Sequence, residues 1–460
     1  MTRIITVPIW LVLCVSLVFF GYVQADIVEG SPGNYRELLK GLRPGDTLLL
    51  APGEYRQGLP VHNLNGEKER PIVISGREGG PHPVFLARAG HNTVSIVDAG
   101  FVTIRNLELD GQGLPVDGVK AEGHAEWAHH ITLENLIIRG HDNNQQTVGI
   151  STKCPAWGWV IRGNVISGAG TGMYLGNSDG SDPFVDGLIE YNFIANTMGY
   201  NLQIKHQRTR PDLSGIPAGK SSTIIRHNVF IKEEGGAKGP MARPNVLVGH
   251  WPLEGSGSED RYLIHGNFFY QNPGEALFQG EGNIALYNNL MVNTHGDAIN
   301  IQPHNDIPRA VSVFYNTVVA AGSGIKVQTR ADKQAGLQRV TGNAIFAGIP
   351  LTGGIQEANV VDSFEAAARY LAHPFAPLGE LDLYPKPGKM QGEPIPTSVF
   401  NAFPEWNQDF NGRLRKGNLR GAYGGEGVNP GWRLAAAPMP HDPRGGPVKR
   451  GLPVKPAEAP

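Results

Sequence analysis

Lys205 ends the stretch Leu202-Gln203-Ile204-Lys205, in which strand alternation puts the two apolar side chains on one face and Gln203 and Lys205 on the other. The same alternation turns Lys153, Tyr174, Asn300, Gln302, Lys326 and Gln328 outward, with His304 and Arg330 just past their strands. Arg208, Arg210 and Arg226 stand close to Lys205 in sequence. A lysine beside other positive charge holds its proton less tightly. Such a set can supply a general base and the cations that steady a developing anion. His250, at the end of Asn245-Val246-Leu247-Val248-Gly249-His250, can donate a proton. If these residues come from stacked strands about 4.8 Å apart, they form a track suited to a long anionic polymer. For any one of them, the competing account is a solvated sheet face.

The elements that must position these residues are short and repeated. Of 460 residues, 61 are Gly and 35 Pro, which argues against a helical bundle. Forty percent are hydrophobic and only 18% charged, which argues against disorder and allows a large core. A net charge of −2 gives no sign of nucleic-acid binding. An Asn-centred element recurs at Asn106, Asn135, Asn164, Asn192, Asn228, Asn267, Asn289, Asn316 and Asn343, at spacings of 22 to 39 residues. Around each Asn the apolar residues alternate or cluster over a few positions, as in strands. A Gly-rich turn and a second short strand follow, as in residues 171–175, 200–205, 297–302 and 323–328. One coil of two or three strands with an Asn at a fixed corner predicts an all-β, single-stranded right-handed parallel β-helix. The asparagines are expected to stack from coil to coil, bonding backbone that the corner leaves unpaired.

The ends are read as an address, two caps and a tail. Residues 1–25 carry Arg3, an apolar run and small residues at Val23-Gln24-Ala25, the pattern of a secretory signal, with an uncleaved anchor as the alternative. The β-helix with its N-terminal cap is assigned to 26–350, a C-terminal cap region to 351–434, and a Pro-rich disordered tail to 435–460. Short helices are expected at 34–39 and 363–372. Removing the signal leaves Cys154 as the lone cysteine, so no internal disulfide is available. A secreted or periplasmic monomer is the expectation.

The opening Pro44-Gly45-Asp46-Thr47, followed by Pro52-Gly53-Glu54-Tyr55, Pro71-Ile72-Val73-Ile74 and the strand from Phe101 to Leu107, carries a resemblance. From about residue 35 to 345 the chain resembles the β-helical polysaccharide lyases of the alginate lyase and chondroitinase B type, within the pectate lyase-like superfamily. The resemblance implies an anionic, uronate-containing polysaccharide as partner. It also implies a lysine that removes the C5 proton, an arginine that assists departure of the 4-linked oxygen, and calcium beside the site. Lys205 matches the base, and the strand Thr223 to Asn228 with Arg226 follows as a similar one. The coil ending at His250 has no arginine where the family places its acid, and His250 stands in its place. Gln207 to Ser221 is an insertion that can wall the groove. No acidic trio matches the calcium ligands, although Glu259, Asp260, Glu275 and Glu281 fall in that region.

Other chemistries compete. Glycoside hydrolysis needs two carboxylates about 5–9.5 Å apart, and Glu275 with Glu281 is the tempting pair. A C5-epimerase would share the proton abstraction, yet Gln302-Pro303-His304-Asn305-Asp306 lacks the first Asp of that family's motif. A non-catalytic polysaccharide binder or matrix protein is the reading that the missing arginine favours.

Overall fold

The computed structural model describes residues 25–328 and 335–440. Residues 1–24 of the expected signal, Arg330, and 441–460 of the expected tail lie outside the described residues. Almost every ladder is parallel, and each pairs a strand with its counterpart one coil later. One coil shows the pattern: Leu188–Glu190 lies in a first sheet, and Phe193–Ala195 and Leu202–Ile204 lie in two further ladders, a second and a third sheet that the long strand Thr317–Val327 joins. The chain is therefore a parallel β-helix with three walls. Alternation turns Ile189, Ile194, Leu202 and Ile204 into the interior, where none is exposed to solvent. Among the described residues no helix is long and apolar enough to cross a membrane.

The asparagine stack forms at the corner between the first and second sheets, but with a different membership. From Asn164 the series runs through Asn192, Asn228, Asn267, Asn289, Asn316 and Asn343 to Asn359. Each Nδ2 donates to the next Oδ1 at 2.9–3.0 Å, and that Oδ1 also accepts the donor residue's backbone N–H. Asn106 and Asn135 sit one position earlier. Their φ angles are positive, 56° and 51°, as at Gly163, Tyr191 and His227 in later coils. Leu107 and Leu136 fill the ladder position there, so the repeat is offset by one residue in the first coils. Asn228→Ala leaves the buried N–H of Asn192 without an acceptor, while its Nδ2 keeps the carbonyls of Ile161 and Glu190. It is expected to lower unfolding free energy by about 2–4 kcal/mol, read by urea denaturation.

The helix Tyr35–Leu39 closes the N-terminal opening, burying Tyr35 and Leu39 on Leu48, Leu50 and Tyr55. The helix expected over 363–372 is only one turn, Ala367–Tyr370, because the chain passes at once into the strand Leu371–His373. The region after 351 adds the strands Ile355–Glu357 and Val360–Asp362 and then folds back along the flank. Leu371, Leu383, Phe410 and Tyr423 cover the second sheet at Val229, Phe268 and Leu290. Phe400 and Phe403 cover the first sheet at Tyr287 and Phe314. The third sheet is the one these clusters leave uncovered, and it carries Lys205.

Candidate active-site groove

Register fixes two outward columns on the third sheet. The first reads Lys120, Ser151, Tyr174, Gln203, Leu247, Gln279, Asn300, Lys326. The second follows two residues on: Glu122, Lys153, Gly176, Lys205, Gly249, Glu281, Gln302, Gln328. Lys205 thus stands between two glycines. A Cβ on Gly249 would meet the His206 nitrogen at 2.2 Å, and one on Gly176 would meet the Lys205 Cβ at 3.4 Å. Gly249 is required by the close approach of the His206 backbone, and neither glycine places a side chain beside Lys205, which leaves a gap in the column of side chains there.

Basic groups gather around that gap. Lys153 Nζ lies 3.5 Å from the centre of the Tyr174 ring and Lys205 Nζ 5.9 Å from it. Burial, with Lys120 and Lys205 nearby, pulls Lys153 down to about 8. Burial also lowers Lys205, against the opposing pull of Glu281. Tyr174 is pushed up to about 12 by burial, so its phenol keeps its proton. His206 stacks on His250 at 5.3 Å, and its Nδ1 accepts from Asn305 Nδ2 at 3.2 Å. His250 Nδ1–H donates to the Trp251 carbonyl at 2.7 Å. That bond leaves Nε2 of neutral His250 as an acceptor, so His250 supplies a proton only as imidazolium. A shallow hollow continues the groove past Lys205, lined by Leu247, Gln279, Glu281, Gln302 and His304 among others.

Arg226 and Arg210 are placed elsewhere, while Asn300, His304 and Lys326 stay along the groove. Arg226 belongs to the strand Ser222–Arg226 of the first sheet, a different wall from Lys205, and bonds Glu190 at 2.7 Å and Glu405 at 2.6 Å. Sequence proximity misled there because the chain turns a corner in between. Arg210 is buried, not groove-lining: it pairs with Asp260 and reaches the carbonyls of Pro217 and Gly219. Arg208 is exposed in the inserted loop. Asn300 is buried and donates to Asp297 at 3.1 Å. Exposed His304 gives its backbone N–H to Glu281. Lys326 lies further along the first column, three rungs past Leu247.

The residues the sequence reading missed are Lys120, His206 and Gln279. Aligning coils by register instead of by the Asn element would have found Lys120 and Gln279. His206 follows Lys205 directly, and its value comes from stacking on His250. Buried Trp157, Trp159 and Trp251 pack into the body. The Cys154 thiol is buried and raised to about 12, which makes it unreactive.

The acids near the groove do not fit a calcium site. Asp260 is held by Arg210 and Ser221, and Glu275 bonds Gln279 and the N–H of Ala276. Glu281 accepts the backbone N–H groups of His304, Asn305 and Asp306. A hard cation needs several converging oxygens, and these point to separate partners. Glu275 lies three residues before the strand Phe278–Gly280 and Glu281 directly after it, each bonded to separate partners, which does not suit a hydrolytic pair.

No family model and no curated protein matches this chain. Solved structures share its course at low identity. The GH136 lacto-N-biosidase from Eubacterium ramulus is 13% identical with a TM-score of 0.46, over 74% of this chain and 68% of that one. The PL6 family alginate lyase AlyGC is 14% identical with a TM-score of 0.43, over 73% of this chain and 51% of its own. Pectate lyase Pel9A is 10% identical with a TM-score of 0.39, over 91% and 98%. The chain thus spans about half the length of AlyGC. Its assignment as a parallel β-helix rests on its own strand ladders.

Proposed function

We propose that this protein is a secreted or periplasmic carbohydrate-active β-helix that cleaves an anionic, uronate-containing polysaccharide by β-elimination, with Lys205 as the base. The observation that carries the reading is the half-buried Lys205 flanked by Gly176 and Gly249, beside Lys153, Tyr174, His206 and His250. Neutral Lys205 would take the C5 proton, and the electron pair left on carbon would expel the 4-linked oxygen as the C4–C5 double bond forms. Lys153 would neutralise the uronate carboxylate while it is cationic, below about pH 8, where only a fraction of Lys205 is free base. His250 as imidazolium would give a proton to the departing oxygen.

The test is incubation with alginate, pectate, chondroitin and dermatan sulfates and heparin, followed by the ultraviolet absorbance of unsaturated uronate. A rise that Lys205→Ala removes supports the reading. A flat trace on every polymer, with binding retained, favours the non-catalytic binder instead.

The two lysines titrate with opposite consequences. Lowered Lys205 gains free base as pH rises, so kcat is expected to climb from below the ordinary lysine range. Lys153 loses its charge as pH passes about 8, so KM for the polyanion is expected to rise there. In Lys153→Met the KM is high at every pH and that rise disappears. A kcat collapse in Lys153→Met with activity kept in Lys205→Ala would exchange their roles.

A further inference from the structure

On the first sheet, away from the groove, two successive coils and the returning C-terminal segment bring His227, His265 and Glu405 together. One donor atom of each lies within 4.8 Å of the other two. His227 Nε2 is 3.5 Å and His265 Nδ1 3.8 Å from Glu405 Oε2. Those distances are long for hydrogen bonds. They come within a few tenths of an ångström of the spacing around one zinc-type ion, where bonds of about 2.0–2.2 Å put tetrahedral ligands about 3.3–3.6 Å apart. From these positions we propose a divalent transition-metal site, zinc in class, held by His227, His265 and Glu405.

Independent features agree with it. His265 is only 2% exposed, and its Nε2 has no hydrogen-bond partner among the described residues. The nitrogen facing Glu405 is the other one, Nδ1, which at 3.8 Å makes no hydrogen bond to it and is the atom that would bind the ion. Both rings are held in place, His265 stacked on Tyr287 at 4.7 Å and His227 on Tyr191 at 5.0 Å. Arg226 Nη1 takes Glu405 Oε1 at 2.6 Å, which leaves Oε2 facing the two imidazoles. Such an outer partner orients a ligating carboxylate. Arg226 also brings positive charge, which the shared Glu190 carboxylate offsets. Two imidazole nitrogens and a carboxylate oxygen suit zinc or cobalt better than calcium or magnesium. His227 and Glu405 are partly exposed, giving an ion and a fourth, water ligand a way in.

The ligands lie far apart in the chain, so the ion would pin the C-terminal segment to the β-helix without touching the groove. The test is a titration of the untagged full chain, stripped by chelator, with Co2+. The expected result is the visible ligand-field absorption of tetrahedral cobalt, saturating at one equivalent and displaced by Zn2+. Zn2+ should also raise the thermal midpoint by several degrees, since binding to the folded state alone stabilises it. Glu405→Gln and His227→Gln are each expected to weaken cobalt binding by at least about 10-fold. Their metal-free midpoints show whether each variant folds, and the partly exposed His227 keeps the test available if Glu405→Gln does not. Absence of the cobalt bands, or equal binding by both folded variants, would overturn the site.

Discussion

In Lys205→Ala, the proposed formation of unsaturated uronate is expected to fall by at least about 100-fold, within the usual contribution of a positioned base. Circular dichroism and the thermal midpoint stay near those of the parent. The structure gives the reason for that separation. Lys205 projects outward from the end of the strand Leu202–Ile204, whose Leu202 and Ile204 form the core contacts. Its column neighbours are glycines, so truncation leaves no overpacked or unsupported side chain. Lys205→Arg keeps the positive charge but replaces a titratable amine with a guanidinium that does not give up its proton. Its kcat is expected to fall as far as in the alanine variant, while polymer binding remains. Activity retained in Lys205→Arg would remove Lys205 from the role of base and leave it as a binding cation.

Asp260→Ala is expected to destabilise the protein by about 3–5 kcal/mol, the effect of leaving a buried partner charge alone. Asp260 is fully buried, and the Arg210 side chain is 3% exposed. Its carboxylate also accepts the Ser221 N–H at 2.9 Å and hydroxyl at 2.8 Å. Arg210 in turn bonds the carbonyls of Pro217 and Gly219. One carboxylate therefore organises the insertion from Gln207 to Ser221 and ties it to the loop that follows His250. Thr209 and Ser256 add two further links between these loops. Without Asp260, Arg210 must reach solvent, and the wall beside the groove opens. Urea unfolding reads the stability, and limited proteolysis between 207 and 221 reads the opening. The double variant Asp260→Ala with Arg210→Met is expected to recover much of the loss, because no buried charge then stands alone. Equal loss in single and double variants would show that volume, not charge, holds the loops.

Strand alternation is a local property, so the sequence by itself determined what depends on it. It specified a parallel β-helix built on an asparagine corner, an N-terminal plug at Tyr35–Leu39, and the outward facing of Lys153, Tyr174, Gln203 and Lys205. Each follows from period-2 burial or from a turn residue beside an apolar run. Only the tertiary structure decided which wall a strand joins, because that depends on corners and loop lengths. Arg226, close to Lys205 in sequence, therefore lies on another sheet. The ladder's one-residue offset was hidden because Asn suits two neighbouring places at the corner: the left-handed position at Asn106 and Asn135, and the bonding position from Asn164 onward. Arg210 looked like a surface cation until Asp260 was found buried beside it. Glu405 meets Arg226 across 179 residues, a contact made by the chain folding back over the first sheet. No local periodicity encodes such a return: it is driven by burying Phe400 and Phe403 on Tyr287 and Phe314.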